Sequence, residues 1–147
     1  MSGSTQFLLV NPEVISISSH RHDAEGDELI WETGIAPEGI SDMGGRVVFG
    51  TLQAGCDSGG GAVIVASIFR QPEGELLELE AFEEAFVDSD ALETLYDIAR
   101  ASLRQVLSFI EVQIDLPRKA PEPQIGYLTR QHEDRETEEL YEEPGAS

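Results

Sequence analysis

Residues 75–87 read ELLELEAFEEAFV, and whether this stretch is extended or helical decides the fold. As a strand it puts Leu77, Leu79 and Ala81 on one face and Glu78, Glu80, Phe82, Glu84 and Phe86 on the other. As a helix it has suitable letters, because Glu, Leu and Ala are good helix formers. The strand is the preferred reading. Two β-rich runs precede it at hairpin spacing, and a third strand would complete a meander.

Those two runs are RVVFGTLQA (46–54) and AVIVASIFR (62–70), both rich in β-branched or aromatic residues and bounded by glycines. Gln71-Pro72-Glu73-Gly74 reads as the turn after them. Between them, Asp57-Ser58-Gly59-Gly60 spells the nucleophile loop of a chymotrypsin-type protease. A serine nucleophile needs a base within hydrogen-bond reach and a group to orient that base. His20, His22 and His132 are the candidate bases. The protease fold needs two barrels and a late serine, whereas Ser58 comes early. Glycine and Asp between two strands predict a hairpin turn.

Further upstream, Phe7–Val10 and Val14–Ser18 are short β-like runs broken by Asn11-Pro12, which predicts a bulge or an edge because proline donates nothing to a ladder. Ile15 and Ile17 alternate with Ser16 and Ser18, as on a half-buried strand. Asp23–Asp27 reads as a polar turn, Glu28–Thr33 as a strand carrying Trp31, and Gly34–Gly45 as a loop.

Downstream, Leu92, Leu95, Tyr96, Ala99, Leu103, Val106, Leu107 and Ile110 recur at three and four residues. They predict one long amphipathic helix, opened by Asp90 and Glu93 at capping-box spacing. EVQIDLP then alternates, Pro117 stops the helix, and Arg118–Pro123 is a proline-bracketed connector. Residues 124–129 read as a last docking segment. Residues 130–147 hold seven acids and two arginines, net −5, against −15 for residues 1–129. The division expected is one domain over 1–129 and an acidic, flexible tail over 130–147.

Composition narrows the function. Against 29 acids the chain sets 9 bases, a net charge of −20, which repels nucleic-acid phosphates and anionic lipid and favours basic partners. MSGSTQFLLVNPEV offers neither a membrane span nor a leader, so a cytoplasmic location is expected. Cys56 is the only cysteine, which rules out an internal disulfide and a cysteine-based zinc cluster. His20 and His22 would point the same way on a strand, but no partner ligand stands at recognisable spacing. No metal, cofactor or catalytic residue is therefore expected. Trp31, Phe49, Phe69, Phe82 and Phe86 all fall on expected strands. They are the candidates for binding apolar side chains of another chain, with filling of the core as the competing role. Glu78, Glu80, Glu83 and Glu84 are the candidates for docking a basic segment.

The order of elements, strands and then a long helix and an LP-containing segment, resembles the bacterial SecB export-chaperone family and the shorter SecB-like chaperones of toxin–antitoxin systems. The residues that carry the resemblance are LYDIARASLRQVLSFIEVQIDLPRKAP (95–121), with EGELLELEAFEEAF (73–86) similar to the family's last strand. The family places a longer segment with a short helix before its long helix, where Val87–Glu93 stands here, and a proline where Asp97 stands. The resemblance implies an α+β subunit: an antiparallel sheet of about four strands, the long helix and a short C-terminal helix. It also implies dimers or a tetramer, ATP-independent binding of unfolded or extended polypeptide, and a translocase motor or antitoxin as partner. A non-enzymatic chaperone or adaptor is the first expectation. A structural or assembly protein of a phage particle or multi-subunit complex is the second, and an enzyme the last.

Overall fold

The computed structural model describes residues 7–21, 27–40, 44–71 and 76–128. Along the chain run β1 (Leu8–Arg21), β2 (Glu28–Ile35), β3 (Gly45–Cys56), β4 (Gly59–Arg70), α1 (Leu79–Val87), α2 (Asp90–Phe109) and β5 (Gln124–Tyr127). The fold is α+β, with one five-stranded sheet in the order β1-β4-β3-β2-β5. All pairings are antiparallel except that of β5, which runs parallel to β2 from Glu32↔Gln124 to Ile35↔Tyr127. Three consecutive strands with the first returned beside the fourth make a Greek-key arrangement.

The β3–β4 hairpin is as expected. Cys56 pairs with Gly59, so Asp57 and Ser58 alone form the turn. Gly59 has φ +147°, and a Cβ there would lie 2.2 Å from the His20 carbonyl oxygen on β1; only glycine fits. The two short N-terminal runs are one fourteen-residue strand, with register shifts at Val10/Glu13 and Val14/Ser16 and Asn11 at φ 51°. The Asn11-Pro12 break is thus a bulge within an edge strand. Trp31 lies on β2, which extends two residues beyond the expected Thr33 into the expected loop. The expected turns at 23–27 and 71–74 lie mostly outside the described residues.

Three expectations are corrected. Residues 79–87 are the helix α1, not a strand. Phe82 and Phe86 stand one turn apart, stacked at 5.8 Å and 17° between planes, and both are buried. A strand would have set them on the face with Glu80 and Glu84. A helix sends both rings inward and leaves those two carboxylates exposed. Second, the sheet has five strands and is mixed, not four and antiparallel. Third, residues 124–127 form that fifth strand instead of starting a short C-terminal helix.

The long helix spans twenty residues, with Leu92, Leu95, Tyr96, Ala99, Leu103 and Leu107 buried against the sheet. Its N-cap is Ser89, not Asp90. The Ser89 hydroxyl accepts from the Leu92 amide at 3.1 Å and donates to the Phe86 carbonyl at 2.8 Å, joining the end of α1 to the start of α2. At the other end Glu111 adopts φ 58°, and the Val112 amide returns to the Leu107 carbonyl at 3.0 Å. This is a Schellman closure with a glutamate where glycine is usual.

From there residues 112–123 run as an extended strap along α2. Val112 and Leu116 are buried and Ile114 half-buried, as the alternation of EVQIDLP predicts. The strap is clipped by Tyr96 Oη to the Pro117 carbonyl (2.6 Å), Arg100 Nε to the Leu116 carbonyl (3.2 Å) and the Ala120 amide to Glu93 Oε2 (2.8 Å). Glu93 therefore holds the strap and does not complete a capping box. Burial of the Tyr96 ring raises the pKa of its hydroxyl, which favours the neutral donor.

Candidate functional site

The sheet has two unlike faces. Alternation along β3 and β4 sends Val48, Leu52, Val63, Val65 and Phe69 to the helix side, all fully buried. At one end of that side Phe69 meets Phe7 (5.8 Å), Phe82 (6.5 Å) and Phe86 (5.3 Å). Trp31 lies edge-on to Tyr96 at 5.3 Å. Four of the five aromatic binding candidates, Trp31, Phe69, Phe82 and Phe86, are therefore core residues in this chain, at 0–2 % exposure.

The fifth, Phe49, is on the opposite face. That face carries Val47, Phe49 and Thr51 of β3, Ile64 and Ile68 of β4 and Ile30 of β2, all half-buried. Both helices pack on the other side, so no described helix covers these side chains. Registers Thr51↔Ile64 and Val47↔Ile68 bring them into one row across the sheet. At the β2 side, a Cβ on Gly34 would lie 2.9 Å from Leu128 Cδ2. Leu128 thus lies across Gly34, the cross-strand partner of Phe49. The row is bounded by strand β1, which among the described residues pairs only with β4. Leu8, Val14, Ile15 and Ile17 on β1 are 40–50 % exposed. A strand with one edge unpaired and exposed aliphatic side chains is a surface on which another chain can add.

The acidic candidates divide as well. Glu78 precedes α1, and with Glu80 and Glu84 it is exposed. Glu83 is half-buried and accepts a short hydrogen bond from Tyr127 Oη, which ties β5 to α1. That bond is the main cause of the raised Tyr127 pKa. Glu83 is thus engaged within the chain, while the other three are presented outward.

Arg46 is a feature that sequence reading missed. It is 4 % exposed, with its guanidinium 5.5 Å from the Phe82 ring centroid. It donates to the carbonyls of Ala36, Pro37 and Leu77, so it brackets the loop after β2 to the chain before α1. Desolvation lowers its pKa. The one signal in the sequence was an arginine opening an otherwise apolar strand.

Ser58 sits in the hairpin turn, its Oγ 3.2 Å from Cys56 Sγ. Hydrogen bonds from Ser58 lower the Cys56 pKa. His20 is exposed on β1, and His22 and His132 lie outside the described residues. Among the described residues no three of His, Cys, Asp and Glu converge as a metal site. Among the described residues no helix is long and apolar enough to cross a membrane. Among the described residues the arrangement combines a half-buried apolar row, a β1 edge with no strand partner and exposed carboxylates.

The Greek-key sheet, backed on one face by a long helix and a proline-marked strap, is similar in fold to a solved SecB-like chaperone. The Mycobacterium tuberculosis SecB-like chaperone Rv1957, solved in complex with a ChAD peptide from the Rv1956 HigA1 antitoxin, is similar in structure with a TM-score of 0.57. The match is 15 % identical in sequence and covers 78 % of this chain and 88 % of that one. No protein-family profile matches the chain, and no curated protein matches it. A short helix does precede the long one, but it is α1, in the segment read as the family's last strand and not in Val87–Glu93.

Proposed function

We propose that the protein is a non-enzymatic, ATP-independent chaperone or adaptor that holds extended polypeptide segments. The observation that carries this reading is the sheet face that no described helix covers, where Val47, Phe49, Ile64 and Ile68 are only half-buried while α2 packs on the opposite face. Many weak apolar contacts suit an unfolded client, and the net charge of −20 draws basic segments to them. Pairing of β1 edges between copies gives the oligomer. Glu78, Glu80 and Glu84 meet a basic stretch of a translocase motor or antitoxin. The likeness to a chaperone bound to an antitoxin peptide supports the same reading, which carries a cytoplasmic location with it.

Light scattering on the eluting protein is expected to report a dimer or tetramer, and Ile15→Lys with Ile17→Lys to return a folded monomer. Stoichiometric protein without ATP is expected to suppress aggregation of an unfolded client. The Phe49→Ser, Ile68→Ser variant should lose that suppression with its fold intact. Full suppression by that variant would remove the open face as the client surface.

A further inference from the structure

Seven basic residues fall among the described residues: Arg21, Arg46, Arg70, Arg100, Arg104, Arg118 and Lys119. Four of them, Arg100, Arg104, Arg118 and Lys119, gather where the strap crosses α2, in a chain of net charge −20. Arg100, Arg104 and Arg118 line a cleft of about 460 Å³ over Ile114, Leu116 and Pro117, with Asp115 the one carboxylate lining it. Glu111 stands in the adjoining cleft beside Arg104. Glu93, Asp97 and Glu122 share a hollow with Arg118 and Lys119, and Glu93 is already bound to the Ala120 amide. Arg100 gives its Nε to Leu116, which leaves its terminal nitrogens for another acceptor.

We propose that this cleft seats the chain's own acidic C-terminal segment, residues 133–143, EDRETEELYEE. Charge complementarity is the first reason. The segment holds seven carboxylates and Arg135, net −6, and guanidinium forks take carboxylates bidentately. The exposed side of α1, with Glu80 and Glu84, repels the same segment. Reach is the second. Residue 138 is ten residues beyond Leu128, and Arg118 is ten residues before it. At up to about 3.6 Å per residue, the chain that carried the path from 118 to 128 is long enough to return. Leu140 and Tyr141 supply apolar contact for the half-buried Ile114 and Pro117. Tethering gives the segment an effective concentration on the order of millimolar, ahead of free anions. Docked there, it covers the crossing of strap and helix. A basic client or partner segment releases it by competing for its carboxylates.

The single cysteine makes the test direct. Cys56 Sγ is 3.9 Å from the Gln113 carbonyl oxygen, and Cys56 shares a cleft with Ile114 and Asp115, which also line the basic one. A nitroxide on Cys56 of the full-length chain is expected to cause loss of amide intensity across residues 133–143 at low salt. Intensity should return at about 1 M salt, where the screening length is about 3 Å. It should also return in the Arg104→Glu, Arg118→Glu variant, with the amide spectrum of residues 44–71 unchanged. Should that variant misfold, the salt series on the native chain decides. Unaltered intensity at low salt, or equal loss in the folded variant, overturns the proposal. Loss seen only when spin-labelled and isotope-labelled copies are mixed overturns it too, because the segment then binds another copy.

Discussion

The helix-covered and open faces of the sheet are built from the same two strands, β3 and β4, yet they carry opposite burdens. On the covered side Phe69, Phe82 and Phe86 interlock with Phe7, and Arg46 closes over them. On the open side Phe49 stands in a half-exposed row with Val47 and Ile68. An aromatic ring therefore says little about binding until its face is known. The covered rings are core residues, and the ring on the open face is only half-buried.

Substitutions should separate the two faces, and the largest effect is expected in the aromatic cluster. Phe82→Ala removes a ring with 1 % exposure and is expected to cost about 3–5 kcal/mol, measured by chemical denaturation. Phe49→Ala on the open face should cost well under half of that; equal losses would erase the contrast. Next comes the clip between helix and strap. Tyr96→Phe leaves the Pro117 carbonyl without its donor, and about 1–2 kcal/mol is expected. Because the folded Tyr96 pKa is raised above its ordinary 10.0, the folded state binds that proton more tightly. Its stabilisation is complete below pH 10 and is lost as pH rises through the folded value. The native chain should thus weaken on an alkaline titration more steeply than the Phe variant.

Smaller effects follow at the helix ends. Ser89→Ala is expected to cost about 1 kcal/mol through loss of the α2 cap. Glu111→Gly is expected to stabilise by about 1 kcal/mol, because φ 58° strains any residue with a Cβ. Thermal melts read both. The smallest effect is expected for truncation after Thr129, which should leave the melting temperature within experimental scatter. A collapse there would mean that the tail is part of the core.

Much of this was legible in the letters. The apolar spacing of residues 92–110 predicted α2 to within a residue or two, because a twenty-residue helix repeats its pattern often enough to be unmistakable. Glycines around Asp57-Ser58 predicted the hairpin, since few residues tolerate such backbone angles. The stretch 75–87 misled because the nine residues of α1 hold only about two and a half helical turns, and a short alternation of Glu and Leu fits either period. The rings of Phe82 and Phe86, four apart, were the helical signal within it. Phe49 does lie on a strand, as its β-branched and aromatic neighbours predicted. Its distinction from Phe69 could not be read, since the face of each strand depends on where α2 lands.

By itself the sequence determined what local chemistry controls: the long helix, the hairpin, the proline-marked strap, and a net charge of −20. Only the tertiary structure decided the partnership of β5 with β2, the conversion of 79–87 into a helix, the burial of Arg46 and the face left uncovered. Those outcomes depend on contacts between residues far apart in the chain, such as Thr33 with Ile125 and Phe7 with Phe82, and no local pattern encodes which distant surface a segment will meet.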